Sequence, residues 1–173
     1  MKLVVIINGK GGVGKDTLCR YFCQFYQGQV ASSITPIKKM AKRLGWKGGK
    51  DPEDRAFLSG LKDLMDERFG TSWLYLQQRL NQFENSDAKV LFVMIREPND
   101  IEAFKNYVKS TGIRVKTLLV RRESVDNKTY GNHADDDVES YTYDYIFDNN
   151  SSLEEAHRDF IIMIRHMAES EEE

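Results

Sequence analysis

Five short apolar runs mark the chain, at positions 3–7, 30–33, 90–95, 115–120 and 145–147, the second weaker than the rest. Each is bounded by polar or turn-forming residues, which is the pattern of buried strands. Between them apolar residues recur at helical spacing. Helices are predicted from 16 to about 27, 35 to about 44, 52 to about 69, 71 to about 83, and 99 to about 109, with a last one after Ser151. Thr35-Pro36 and Asp51-Pro52 each read as an N-cap followed by proline at the first helical position. Asn99 with Glu102, and Ser151 with Glu154, read as capping boxes. Leu74, Tyr75 and Leu80 are the expected core contacts of the fourth helix, and Leu153, Phe160, Ile161 and Ile164 those of the last.

Strands that alternate with helices, each nearly continuous in apolar residues, imply an α/β fold with a parallel sheet covered on both faces. Ligands of such sheets sit at the carboxyl ends of the strands. Ser32-Ser33, Arg96-Glu97, Arg121-Arg122 and Asp148-Asn149-Asn150 follow four of the runs and so converge on one edge.

The first run leads directly into Gly9-Lys10-Gly11-Gly12-Val13-Gly14-Lys15-Asp16-Thr17, a G-x-x-x-x-G-K phosphate-binding loop between a strand and a helix. Its glycines let backbone N–H groups turn inward around phosphates, and the helix behind adds its positive end. Gly9, Lys10, Gly11, Gly12, Val13, Gly14, Lys15, Asp16 and Thr17 are therefore the candidate ATP contacts, with Lys15 reaching the β- and γ-phosphates. Asp16 stands where such loops usually carry Ser or Thr. A carboxylate can hold Mg²⁺ directly or through water, so Asp16 and Thr17 are the candidate metal residues and strict Mg²⁺ dependence is expected.

Composition narrows the class further. The chain has 173 residues, 40% hydrophobic and 30% charged, with a formal net charge of -2 and a pI near 6.0. That suits one domain with its own core and gives no sign of a nucleic-acid or membrane surface. No signal peptide or solenoid repeat is visible. The acidic end, 169–173, reads as a solvated helix terminus. Cys19 and Cys23, four apart on the first helix, read as small apolar residues facing the sheet, and free thiols suit a cytoplasmic setting.

Two resemblances meet at the loop. Lys10-Gly11-Gly12-Val13-Gly14-Lys15 resembles the variant loop of chromosome-partitioning and division-site ATPases, in which the first lysine crosses a dimer. The second run, however, ends Ala31-Ser32-Ser33-Ile34 and lacks their aspartates. The other resemblance covers most of the chain. Gly14-Lys15-Asp16-Thr17, the stretch from Ile34-Thr35-Pro36-Ile37-Lys38 to Leu44-Gly45, Arg55-Ala56-Phe57-Leu58, Ile95-Arg96-Glu97-Pro98-Asn99-Asp100, Val120-Arg121-Arg122 and the run from Tyr145 to Glu155 together resemble bacteriophage-type deoxynucleoside monophosphate kinases. The resemblance implies a three-layer P-loop NTPase fold with a five-stranded parallel sheet and a lid insert. It implies a single domain over 1–173, with acceptor-binding helices at about 34–85 and a lid at about 121–143.

The activity implied is phosphoryl transfer from ATP to a nucleoside or deoxynucleoside monophosphate. Lys15, Arg96, Arg121 and Arg122 would be catalytic. Ser33, Lys38, Arg55, Arg96 and His133 would hold the acceptor, and Asn149 and Asn150 the adenine edge. Expected partners are ATP and a small phosphorylated acceptor, with no nucleic acid and no membrane, in a monomer or homodimer. The family places an aspartate two residues before the third-strand arginine, and here that residue is Met94. Asp16 or Glu97 could compensate. A kinase for another small acceptor and a non-catalytic nucleotide-binding or partitioning-type ATPase stay open as alternatives. Asp135-Asp136-Asp137 reads as solvated or as a helix cap, and Tyr141, Tyr143 and Tyr145 as packing residues first and base-stacking residues second.

Overall fold

The computed structural model describes residues 2–126 and 138–170. In chain order it runs β1 Leu3–Asn8, α1 Lys15–Phe25, β2 Gly28–Ser32, α2 Thr35–Arg43, α3 Pro52–Phe69, α4 Thr71–Glu84, β3 Val90–Met94 and α5 Pro98–Ser110. It continues with β4 Arg114–Arg121, the short α6 Glu123–Asp126, a 3₁₀ turn Val138–Ser140, β5 Tyr145–Asp148 and α7 Leu153–Glu169. The strands form one sheet in the order β2-β3-β1-β4-β5, parallel throughout. This is the α/β architecture predicted, with β1 at the centre.

Side chains of a strand alternate between faces, and two cores follow from that. Val5, Ile7, Phe92 and Leu118 pack under α1 and α7, meeting Leu18, Phe22, Phe160 and Ile164. Val4, Ile6, Leu91 and Val93 pack under α4 and α5, meeting Leu76, Leu80, Phe83 and Phe104. Each such Leu or Phe contributes about 1.5–3 kcal/mol on burial, so the doubly covered β1 is the most anchored element. A small separate cluster of Ile37, Ala41 and Leu58 joins α2 to α3 beside the sheet.

Several helix starts differ from expectation by a residue or two. The Asp51 side chain accepts from Asp54 N at 2.8 Å, as predicted for α3. The N-cap of α2, by contrast, is Ile34 rather than Thr35. The N-cap of α5 is Glu97 rather than Asn99, with Pro98 in the first turn; proline's fixed φ favours the first helical turn. The capping box of α7 is Ser152 with Glu155, one residue beyond the predicted pair. Leu74 and Leu153, expected in the core, are 59% and 65% exposed: Leu76 takes the inward position on α4, and Leu153 stands at the very start of α7.

Cys19 is buried and Cys23 half-buried, both free. Burial pushes both thiols up, which suits packing rather than reactivity. Tyr141 and Tyr143 precede β5 and pack edge to face at 5.0 Å. Among the described residues no helix is long and apolar enough to cross a membrane. His133 and Asp135, Asp136 and Asp137 lie outside the described residues.

Candidate active site

The phosphate loop is set by the end of β1. Gly9 has φ 148, and a Cβ there would run into the Val120 carbonyl oxygen of the neighbouring strand. Gly14, the residue before α1, has φ 95, the left-handed region that favours glycine. The Asn149 side chain donates to Val13 O at 2.7 Å and braces the loop from outside. Lys15 is 7% exposed. Its ammonium is wrapped by the loop, donating to Gly9 O at 2.6 Å and Lys10 O at 3.1 Å.

In front of the loop lies a cleft of about 260 Å³. It draws on the loop, on α1, α2 and α3, and on the ends of β2 and β3, including Gly11, Gly12, Lys15, Asp16, Ser33, Lys38, Arg55 and Arg96. Eight of the predicted residues, up to 85 positions apart in the chain, are thus brought together. Gly9, Lys10, Val13, Gly14 and Thr17 stand outside the cleft lining, as do Arg121, Arg122, Asn149 and Asn150. Arg121 Nη2 is paired with Glu139 at 3.0 Å. The Asn149 backbone N–H donates to Arg121 O at 2.9 Å, and Asn150 Oδ1 accepts from Glu123 N at 3.0 Å. These two asparagines hold the β4 and β5 ends together. Met94, 8% exposed, belongs to the apolar core and also touches the cleft.

Charge in the cleft is divided. On the α2 side burial lowers the Lys38 pKa, with Arg96, Lys50 and Lys42 adding to the effect and Asp16 opposing it. On the α3 side Lys62, 8% exposed, is ringed by Asp66 at 3.0 Å, Glu97 at 3.5 Å and Asp100 at 3.6 Å. Burial alone would lower its pKa, yet these carboxylates raise it overall. Glu97, considered above as a metal residue, is engaged by Lys62 instead, and its Oε2 is buried without a hydrogen-bond partner among the described residues.

Sequence reasoning missed Lys62 and Asn8. Lys62 was legible: Arg55, Ser59 and Lys62 follow helical spacing, and all three line the cleft. Asn8 left a fainter signal, a polar residue ending an otherwise apolar strand, buried completely.

No protein-family model and no curated protein sequence matches the chain. Solved structures do. A candidate kinase from Chloroflexus aurantiacus aligns with a TM-score of 0.58 at 12% identity, over 95% of this chain and 98% of that one. TT1252 from Thermus thermophilus aligns with a TM-score of 0.53 at 14% identity, over 95% and 97%. Shikimate kinase from Aquifex aeolicus aligns with a TM-score of 0.53 at 13% identity, over 98% and 99%. At such identity the likeness speaks for architecture, and together with the loop and the strand order it gives the chain the fold of the P-loop kinases.

Proposed function

We propose that the chain transfers the terminal phosphoryl group of ATP to a nucleoside or deoxynucleoside monophosphate. The observation that carries this reading is convergence: Lys38 of α2, Arg55 of α3 and Arg96 after β3 line the same cleft as Lys15 of the phosphate loop. A pure ATPase needs no cationic wall from two further helices. A kinase does, because two anions must be held in line against their repulsion.

On this reading the loop N–H groups and Lys15 hold the donor phosphates, while Lys38, Arg55 and Arg96 hold the acceptor phosphate. An acceptor oxygen attacks the γ-phosphorus, the bond to the β–γ bridging oxygen breaks, and ADP leaves. The acceptor phosphate is already ionised, so no general base is required. Asp16 lines the cleft beside the loop, and no group of three or more potential metal-ligating side chains occurs among the described residues. One carboxylate completed by phosphates and water is a donor set that fits Mg²⁺. Mg²⁺ bound there would neutralise charge on the phosphates during transfer. Segments 34–85 and 121–143 would serve as acceptor-binding helices and lid.

One observation favours a second reading. The apolar Met94 occupies the place of the family's aspartate, as suits a nucleotide switch that binds without transferring. The test is ADP release from Mg-ATP with each ribo- and deoxyribonucleoside monophosphate offered in turn. Acceptor-dependent release abolished by Lys15→Met supports the kinase. Equal release with every acceptor, or unchanged release in Lys15→Met, rejects it, and ATP binding without release supports the switch.

A further inference from the structure

Asn8 is 0% exposed at the end of a strand whose other residues are apolar. A carboxamide in such a place costs free energy unless its groups are bonded. Its Oδ1 accepts from Gly9 N at 2.8 Å. Its Nδ2 donates to Arg96 O at 2.9 Å and to the Tyr143 hydroxyl at 2.8 Å. That hydroxyl donates onward to Val138 O, also at 2.8 Å. The partners fix the direction of every bond: a peptide N–H can only donate and a carbonyl can only accept. Turning the amide over would lose the bonds to Gly9 and Arg96 together.

Asn8 thereby joins three separate parts of the site. Gly9 opens the phosphate loop. Arg96 follows β3, the strand beside β1, and lines the cleft. Val138, 2% exposed, begins the 3₁₀ turn on the way back to β5. Valine or leucine would fill the volume, as they do elsewhere in β1, without making any of these bonds. Serine is too short to reach all of them. Aspartate would keep the acceptor for Gly9 and turn an oxygen toward the Arg96 carbonyl.

We propose that Asn8 is a positioning residue that sets the phosphate loop and Arg96 in register and ties both to the chain returning through Tyr143, so that nucleotide at the loop is felt at Arg96 and along residues 138–143. The inference rests on the nucleotide-binding half of the function proposed above. Hydrogen bonds in a buried chain reinforce one another, so removal of one link loosens the rest.

Amide hydrogen exchange with and without a magnesium–imidotriphosphate analogue of ATP tests this, in the wild type, Asn8→Asp and Tyr143→Phe. In the wild type the analogue should slow exchange at residues 95–97 and 138–143 as well as in the loop, by about tenfold or more. In the variants the slowing should stay within the loop. Equal slowing in all three proteins overturns the proposal, as does slowing confined to the loop in the wild type. Tyr143→Phe keeps the test open should Asn8→Asp fail to fold. Once an acceptor is found, kcat of the folded variants should fall about 100-fold while the dissociation constant of the analogue changes less than about threefold. Unchanged kcat overturns the coupling. Nucleotide binding with no turnover on any acceptor would sink the kinase reading and leave the exchange result standing, whereas no nucleotide binding would overturn both.

Discussion

The guanidinium of Arg55 lies against the backbone of Gly11: a Cβ built on Gly11 would stand 2.9 Å from Nη1 and 3.1 Å from Nη2. An arginine of the α2–α3 lobe therefore reaches the donor loop itself, and the glycine makes room for it. Gly11→Ala should displace the arginine tip while sparing the fold, since the tip is flexible and Gly11 has no positive φ. The melting temperature should stay within about 2 °C of wild type. Acceptor kcat/KM should fall about tenfold. Arg55→Ala should do the same, and the double variant should be no worse than either. Gly9→Ala is the contrast. Its methyl would strike backbone rather than a side chain, and a loss of about 2–4 kcal/mol in urea unfolding is expected.

Asp16 is a cleft residue exposed to solvent, and the proposed Mg²⁺ site rests on it. Asp16→Asn should raise the Mg²⁺ concentration for half-maximal ADP release about tenfold or more, and chelation should abolish release in both proteins. The substitution also removes the charge that opposes the lowering of the Lys38 pKa. The alkaline loss of acceptor binding should therefore begin at lower pH in Asp16→Asn than in wild type, read from KM against pH.

Asp144 accepts from Thr117 N at 2.7 Å and Thr117 Oγ1 at 2.9 Å, and pairs with Lys105 at 3.2 Å. Burial pushes its carboxyl up, but these donors outweigh burial and hold it below the usual aspartate range. A depressed pKa stabilises the fold above the unfolded value of about 3.9 and ceases to as pH falls below it. Asp144→Asn should melt about 2–4 °C lower at pH 7. The gap should narrow below pH 4, and a gap constant with pH would contradict the account.

Lys62 holds three carboxylates on the α3 side of the cleft. Its raised pKa means that its contribution persists across neutral pH and is lost only as pH rises through the folded value, above about 10.4. Lys62→Met leaves Asp66, Glu97 and Asp100 facing one another. A loss of about 3 kcal/mol at pH 7 is expected. It should shrink as the pH is lowered from 7 to 5, because burial raises the Asp100 pKa and protonation there relieves the repulsion. Urea midpoints at the two pH values give the comparison.

What the sequence made legible was local. The apolar runs placed five strands because a buried strand must be apolar on both faces, and glycine spacing placed the phosphate loop because few other residues tolerate its backbone. Helix starts were legible to within two residues, off by one at Ser152 and Ile34 and by two at Glu97, since neighbouring Ser, Asn and Pro residues compete for one helix start. Ser33 and Arg96, each placed by a strand end, line the cleft, whereas the Asn149 side chain holds Val13 O and Arg121 is paired with Glu139.

The alternation of apolar strand and amphipathic helix determines an α/β sheet, and the glycine-rich run determines where the loop after β1 turns, because both follow from backbone geometry within about fifteen consecutive residues. Tertiary structure alone decided which distant side chains meet. Strand order brings β3 beside β1, so that the Asn8 carboxamide finds Arg96 O. The position of α3 beside the loop puts Arg55 on Gly11, and its approach to the start of α5 gives Lys62 the carboxylates of Glu97 and Asp100. Such contacts depend on a few ångströms of packing between residues thirty-five or more positions apart, and no local pattern carries that information.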